Sequence, residues 1–336
     1  MSRPTIADVA KAAGVSITTV SHALTGQGRI NEETRQRIHE TADRLGYRPN
    51  MMARGLRTAR TRLLAVANTV PAEVADGPSN LAYYMTIAGA VARTALRSGY
   101  ATILIPPDAE PGIFSEIAID GAVLLDPQAN DPFLAALRKR HVPFVTIGRE
   151  PGTSKPGWCV DTDMIGATLQ LLDHFAVGGP CRPALILTEE QRSYSTDAHQ
   201  AYLEWTARYG LTQVVVTASE RLAERGGEAA MTMILTEHPD INAVFVPLDS
   251  FATGAMQALT TGGVKVPEAM QIATMDGIRA QLGATPLTAL HDDLEDYARS
   301  AIGLLLHQLD HPDSIVQSVT LNPRIVVRAS TMAAAD

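Results

Sequence analysis

The sequence predicts a small all-helical head joined to a larger α/β body made of two parallel-sheet lobes. Three observations predict it. The N-terminal part holds short amphipathic segments bounded by capping residues and glycine stops. The remainder alternates short apolar runs with helix-length segments. Charge divides along the same line: residues 1–62 carry eleven Lys/Arg against five Asp/Glu, and the rest carry seventeen against thirty-one. The net charge of −8 therefore hides a basic head on an acidic body, the electrostatic footprint of a nucleic-acid-binding module fused to something else. A length of 336 residues also exceeds one ordinary core.

The head is read element by element. Thr5 and Asp8 form a capping box, followed by Ile6, Val9, Ala10 and Ala13 at helical spacing, and Gly14 stops this helix in a tight turn. Ser16 caps a second helix over 17–24, which ends before Gly26, so the pair makes a helix-turn-helix. Asn31 caps a third helix, with Glu32 and Glu33 in its first turn, Ile38, Ala42 and Leu45 on one face, and a stop at Gly46. The predicted core is Ile6, Val9, Val15, Val20, Leu24, Ile38 and Leu45.

On the second helix Val20 and Leu24 face inward, which leaves Ile17, Thr18, Ser21 and His22 outside. Short groups of this kind touch base edges and phosphates when such a helix lies in a major groove. An ordinary solvated face is the alternative, and an exposed Ile17 fits it poorly. Thr5, Ser16, Thr19 and Asn31, near the helix starts, complete the candidate DNA contacts of the head. Beyond it, Asn50 can cap one short helix that is marginal alone, because of Gly55 and its brevity. Arg54, Leu56 and Arg57 combine an apolar wedge with phosphate-binding charge, the recipe for minor-groove insertion. A plain basic linker is an equal alternative on physical grounds.

In the body, strands are expected at 63–67, 101–105, 121–125 and 142–147, with a helix near 80–98, and again at 183–187, 213–217, 243–246 and 271–275. Such runs form parallel sheets in doubly wound units, whose ligands bind in the crevice at the carboxyl ends of the strands. No apolar run reaches the roughly 18 residues that span a bilayer, and Asp8 and Lys11 interrupt any apolar signal core. A cytoplasmic protein without membrane contact is expected. The two cysteines, Cys159 and Cys181, are isolated and lack metal-ligand spacing, which suits a reducing compartment. No glycine-rich phosphate loop, His-Glu-x-x-His, Cys-x-x-Cys or Gly-x-Ser-x-Gly element occurs, so neither catalysis nor a cofactor or metal is expected. Asp292 and Asp293 look like a carboxylate pair but read as acids at a helix start, and His291 reads as structural.

Five segments carry a resemblance: 5–16 (Thr-Ile-Ala-Asp-Val-Ala-Lys-Ala-Ala-Gly-Val-Ser), 19–22 (Thr-Val-Ser-His), 33–35, 45–50 (Leu-Gly-Tyr-Arg-Pro-Asn) and 53–56 (Ala-Arg-Gly-Leu). They resemble, without gaps, the lactose-repressor/galactose-repressor (LacI/GalR) family of transcriptional regulators. The resemblance implies that residues 17–24 are the recognition helix, with Ile17 and Thr18 setting specificity. It also implies a hinge helix that orders on operator DNA with Leu56 at the central base step. His22 departs from the arginine common at that position, which implies a different base reading. More diffusely, Gly99-Tyr100, Asp120-Gly121, Asp161 with Gly166, Asp249 with Gly254, Met275-Asp276, residues 285–288 and residues 323–328 resemble the family's body. That implies a two-lobed, type I periplasmic-binding-protein-like effector domain whose chain crosses between the lobes three times.

By this resemblance Tyr83, Tyr84, Asp161, Asp249 and Asp276 are candidate effector contacts. Many members carry an arginine where this chain has Thr196 or Ala198, and Arg192, Tyr194 and His199 are the available substitutes. The expected division is a helix-turn-helix domain over 1–49, a hinge over 50–61 and an effector-binding and dimerisation domain over 62–336. Its first lobe spans 62–160 plus 288–325 and its second spans 161–287. The expected function is that of a dimeric repressor on a near-palindromic double-stranded operator. A small-molecule effector, a sugar or related metabolite, controls it, with release of DNA on binding as the family's commoner response. Residues 329–336 hold no leucine heptad, so a homodimer rather than a coiled-coil tetramer is expected. A transport binding protein, the competing class, leaves the head unexplained.

Overall fold

The computed structural model describes residues 4–25, 30–47, 60–70, 78–153, 157–177, 179–275 and 285–332. The expected wedge residues Arg54, Leu56 and Arg57, and the candidate effector contact Asp276, lie outside these. Two compact units divide the chain at Arg62 and Leu63.

The head unit is three helices, α1 (Ile6–Ala13), α2 (Ile17–Thr25) and α3 (Glu32–Leu45). α1 begins at the predicted capping box: the Thr5 side chain accepts from the Asp8 backbone N–H, and the Asp8 carboxylate accepts from the Thr5 N–H at 2.8 Å. It ends at Gly14, whose left-handed φ of 68° is open to glycine without a Cβ penalty. Ser16 Oγ accepts the Thr19 N–H at 3.1 Å, and Asn31 Oδ1 accepts the Thr34 N–H at 2.8 Å. The core is Val9, Ala10, Ala13, Val20, Ala23, Ile38 and Ala42, with Ile6, Val15, Leu24, Ile30 and Tyr47 packed against it. Leu45 does not join it and stays exposed. The Gly46 turn brings Tyr47 against the core, its N–H donating to Ala42 O at 2.8 Å.

The body unit holds two six-stranded sheets. The first has the order β11-β5-β4-β3-β1-β2, with β1 (Leu63–Asn68), β2 (Ala101–Ile105), β3 (Gly121–Leu125), β4 (Phe144–Ile147), β5 (Cys159–Thr162) and β11 (Ser318–Leu321). All its pairings are parallel. The second has the order β12-β10-β9-β8-β6-β7, with β6 (Pro183–Thr188), β7 (Val215–Ala218), β8 (Ala243–Val246), β9 (Gln271–Met275), β10 (Thr288–His291) and an antiparallel edge, β12 (Arg324–Val326). Central strands such as β3 and β8 are buried throughout, as parallel strands covered on both faces must be.

Helices α4 (Pro78–Arg97) and α11 (Leu294–Asp310) cover one face of the first sheet, and α5 (Ile113–Glu116) and α6 (Pro132–Lys139) the other. On the second sheet α7 (Met164–Phe175) and α8 (Ser193–Arg208) lie opposite α9 (Glu224–Glu237) and α10 (Asp249–Thr261).

The chain passes between lobes after β5, after β10 and after β11. The return to the first lobe, expected near 288, comes one strand later. Thr288–His291 pairs in parallel with β9, and residues 324–326 add a further strand to the second lobe. Both segments are short, and β10 is too apolar to leave outside a sheet: Thr288, Ala289 and Leu290 are fully buried.

Candidate functional site

Two places concentrate chemistry, one in each unit. In the head, α2 puts Val20 and Ala23 into the core and leaves Ile17 51% exposed, with Thr18 exposed beside it and His22 half-buried. Ser21, expected on the outer face, is buried, because its short side chain ends below its larger neighbours on the flank of the packed face. Thr5, Ser16 and Asn31 are exposed at helix starts, and Thr19 hydrogen bonds to Ser16 through its hydroxyl at 2.8 Å. Arg35 Nη1 donates to the Ala23 carbonyl at the end of α2, fixing α3 to the exposed helix.

In the body, the carboxyl ends of both sheets meet in a narrow cleft at the crossings between lobes. The first lobe contributes Tyr83, Asp126, Ile147, Gly148, Asp161, Thr162 and, from α11, Tyr297. The second contributes Ser193, Tyr194, Met275 and Asp292. The cavity measures about 20 Å³, roughly the room of one water molecule. The lobes stand closed on it. Ala129 N–H donates to Gln191 O at 3.2 Å across the cleft, and Gln128 and Arg192 form an antiparallel bridge.

Of the expected effector residues the structure brings Tyr83, Asp161 and Tyr194 to this cleft. Tyr84 packs edge-on against Tyr83, ring centroids 5.2 Å apart, and burial raises its phenol well above the ordinary value. Arg192 stands behind the cleft: at 1% exposure it donates to Glu220 from Nε at 3.0 Å and Nη2 at 2.6 Å, and from Nη1 to the Asp126 carbonyl. Asp249 begins α10 and accepts the Thr274 hydroxyl at 2.9 Å, outside the cleft lining. His199 lies on α8, also away from the lining.

Several residues of this site escaped the sequence reading. Asp126 follows β3 directly, in the left-handed region at φ 47°, and burial pushes its carboxyl up to about 6 against the opposing pull of Arg192. Asp292 separates from its neighbour: Asp293 caps α11, while Asp292 turns into the cleft and accepts the Tyr297 hydroxyl at 2.9 Å. Burial likewise raises Asp292 to about 6. Arg149, just past β4, donates to Asp161 at 2.8 Å and to both carboxylate oxygens of Asp197 on α8, so it ties one lobe to the other. The rule that ligands meet strand ends would have found Asp126, since it closes a buried five-residue run. Nothing local marks Arg149.

A larger depression, about 790 Å³, opens on the side of the first lobe among Arg138, Phe144, Trp158 and Val316. Strand ends do not converge on it, and its arginines are held by Glu150, Asp161 and Asp197. Size alone does not make it the site. Both cysteines are free, with burial raising Cys159 to about 11 and Cys181 to about 12, far from a reactive thiolate. Among the described residues no group of His, Cys, Asp or Glu could hold a metal ion, and no helix is long and apolar enough to cross a membrane.

A capped helix-turn-helix on a two-sheet body with a cleft at its strand ends defines a DNA-binding regulator of transcription. Residues 5–50 match the model of bacterial regulatory proteins of the lacI family, and residues 172–331 match that of the periplasmic binding protein-like domain. The chain thus carries a lacI-family DNA-binding domain and a periplasmic-binding-protein-like domain, the make-up of a lacI-type transcriptional regulator.

It is 25% identical over 340 residues to the transcriptional repressor PurR of Mannheimia succiniciproducens, covering 97% of this chain and 98% of that protein. To the regulator CelR of Thermobifida fusca it is 27% identical over 341 residues, with 98% of each covered. Among solved structures it resembles a CelR–cellobiose complex, with a TM-score of 0.73, 25% identity and 98% of this chain and 100% of the other covered. It also shares the fold of the Lac repressor dimer bound to operator and the anti-inducer ONPF, with a TM-score of 0.80, 19% identity, and 99% and 100% covered.

Proposed function

We propose that this regulator is a homodimeric repressor that reads a near-palindromic operator through α2, and that a small molecule in the inter-lobe cleft controls its operator affinity. The observation that carries the reading is the outer face of α2. Ile17 and Thr18 stand exposed on a helix whose other side is anchored in a core, which is what base readout requires. Thr5, Ser16, Thr19 and Asn31 supply phosphate contacts, and Arg54, Leu56 and Arg57 the hinge wedge. Ser21 supports α2 from its flank.

The body supports pairing with a second copy. Leu81, Met85 and Leu96 form one exposed apolar stripe on α4, and Leu104 is exposed on the edge strand β2. We assign the cleft a binding role without turnover, because its described side chains supply carboxylates and phenols but no activated nucleophile. The chain would work in the cytoplasm, where operator DNA is.

The test is selection of duplexes from a random library by the full-length protein, with and without small molecules. An enriched inverted repeat, lost on adding one compound, is expected. No enriched motif under any condition would overturn the operator reading. An asymmetric single half-site would overturn the dimer.

A further inference from the structure

Among the described residues, the two cationic side chains nearest the cleft are already committed. Arg192 is held by Glu220 and the Asp126 carbonyl, and Arg149 by Asp161 and Asp197. The carboxylates are not all so committed. Asp161 keeps Arg149, and Asp292 keeps one hydrogen bond from Tyr297, but the Asp126 carboxylate accepts no hydrogen bond from the described residues. Ser193, at 6% exposure, lines the same cavity, and its hydroxyl likewise makes no hydrogen bond among the described residues. Neither group is sealed off from the cavity, so both are open to a polar group bound there. Gly148 lies between these groups at φ 80°. A Cβ there would stand 3.3 Å from Asp126 Oδ1 and 3.5 Å from Ser193 Oγ, so the glycine keeps open the space that both face.

We propose that the effector bears a protonated amine together with hydroxyl groups, an amino-sugar type of molecule, and that the cleft rejects sugar phosphates and sugar acids; this rests on the reading of the cleft as the effector site. The ammonium would sit between Asp126 and Ser193, with the Asp292 and Asp161 carboxylates adding to the field. The rings of Tyr83 and Tyr194 offer faces that favour cations. An anionic substituent would meet carboxylates in a water-poor cavity where the described residues offer no unpaired cation to receive it. Among the described residues no group of carboxylates could hold a metal ion as the occupant.

Titration calorimetry of the full-length protein tests this with hexosamines, their N-acetyl derivatives, the parent hexoses, hexose 6-phosphates and hexuronates. At least one hexosamine is expected to bind ten times or more tighter than its parent hexose and its N-acetyl form, with phosphates and uronates not binding. Asp126→Asn is expected to lower hexosamine affinity at least tenfold, and Ser193→Ala several-fold, with melting temperature and elution volume measured for each variant. Binding of a phosphate, a uronate or a neutral hexose in preference to every hexosamine would overturn the ligand class while leaving the effector reading standing. Absence of hexosamine binding to the unsubstituted protein would overturn the proposal. If, in addition, no compound altered binding to a selected operator, effector control itself would fall.

Discussion

Asp126 occupies backbone space that costs a non-glycine residue on the order of 1–3 kcal/mol, and its position beside the Arg192 guanidinium and the cleft is what holds it there. Its carboxyl and that of Asp292 are raised to about 6, mainly by burial, so folding favours their protonated forms. Their contribution to stability is therefore fully present below the ordinary carboxyl value near 4 and is lost as pH rises through about 6. Asp126→Asn removes one such group. The variant's melting temperature should exceed that of the parent protein at pH 8, and the margin should shrink as pH falls towards 4. A constant difference across this range would show that Asp126 does not titrate as its burial dictates.

At the other site, His22→Ala should relax base preference at one position per half-site and leave head stability nearly unchanged, since His22 lies outside the core. Binding-site selection reads this directly, and an unaltered preference profile would remove His22 from the reading set. Single residues were legible where local chemistry dictates them. Thr5, Asp8, Asn31 and Gly14 do in the structure what their neighbours in sequence require. Ser21, Arg192 and Asp292 were not, because tertiary neighbours, invisible to spacing, decide whether a polar group faces solvent, an ion-pair partner or a cleft.

Elements are decided by caps and by periodicity, and both can be tested. Thr5→Ala removes the acceptor of the Asp8 N–H at the start of α1 and the hydroxyl's bond to the Asp8 carboxylate, while the bond from the residue 5 N–H to that carboxylate stays; the head should lose about 1 kcal/mol of stability in chemical denaturation followed by helix signal, and no loss would mean the hydroxyl cap is not formed in solution. Helices α9 and α10 pack at a distance only glycine permits. A Cβ on Gly254 would overlap the Glu224 carbonyl, and one on Gly227 would overlap that of Phe251. Gly254→Ala should cost the body several kcal/mol, since backbone cannot yield as a flexible side chain does. Retention of the parent melting temperature would show that α9 shifts freely.

The apolar runs at 101–105, 121–125, 243–246 and 271–275 are strands to the residue, because an apolar run bounded by turns has few other places to go. The strands β5, β10, β11 and β12 were not read from pattern. They are three or four residues long, and β11, at a sheet edge, alternates exposed Ser318 and Thr320 with half-buried neighbours. Only pairing with distant partners makes such segments strands.

At the scale of the molecule the three crossings make the two lobes one mechanical device. Thr162, Asp292 and the Tyr297 that hydrogen bonds to both sit at two of these crossings, so the cleft floor is the hinge region itself. Arg149 closes the device from the first lobe onto Asp197 of α8, and Arg192 closes it from the second onto the Asp126 carbonyl. A cavity with room for about one water must open before a sugar-sized molecule enters. The Arg149 ion pair therefore opposes entry and favours closure once the molecule is inside. Asp197→Asn removes the charge while keeping the shape. The effector-free variant should show a larger radius of gyration in solution scattering and faster effector association.

The change should reach the DNA as well. Effector and operator bind one equilibrium, so the factor by which effector changes operator affinity must equal the factor by which operator changes effector affinity, about 5- to 150-fold for couplings of 1–3 kcal/mol. In Asp197→Asn both factors should move together, because the substitution alters the lobe equilibrium and neither contact surface. Should scattering, association rate and both factors stay at the parent values, closure is set by main-chain contacts such as Ala129 to Gln191, and the arginine serves only to orient Asp161 in the cleft.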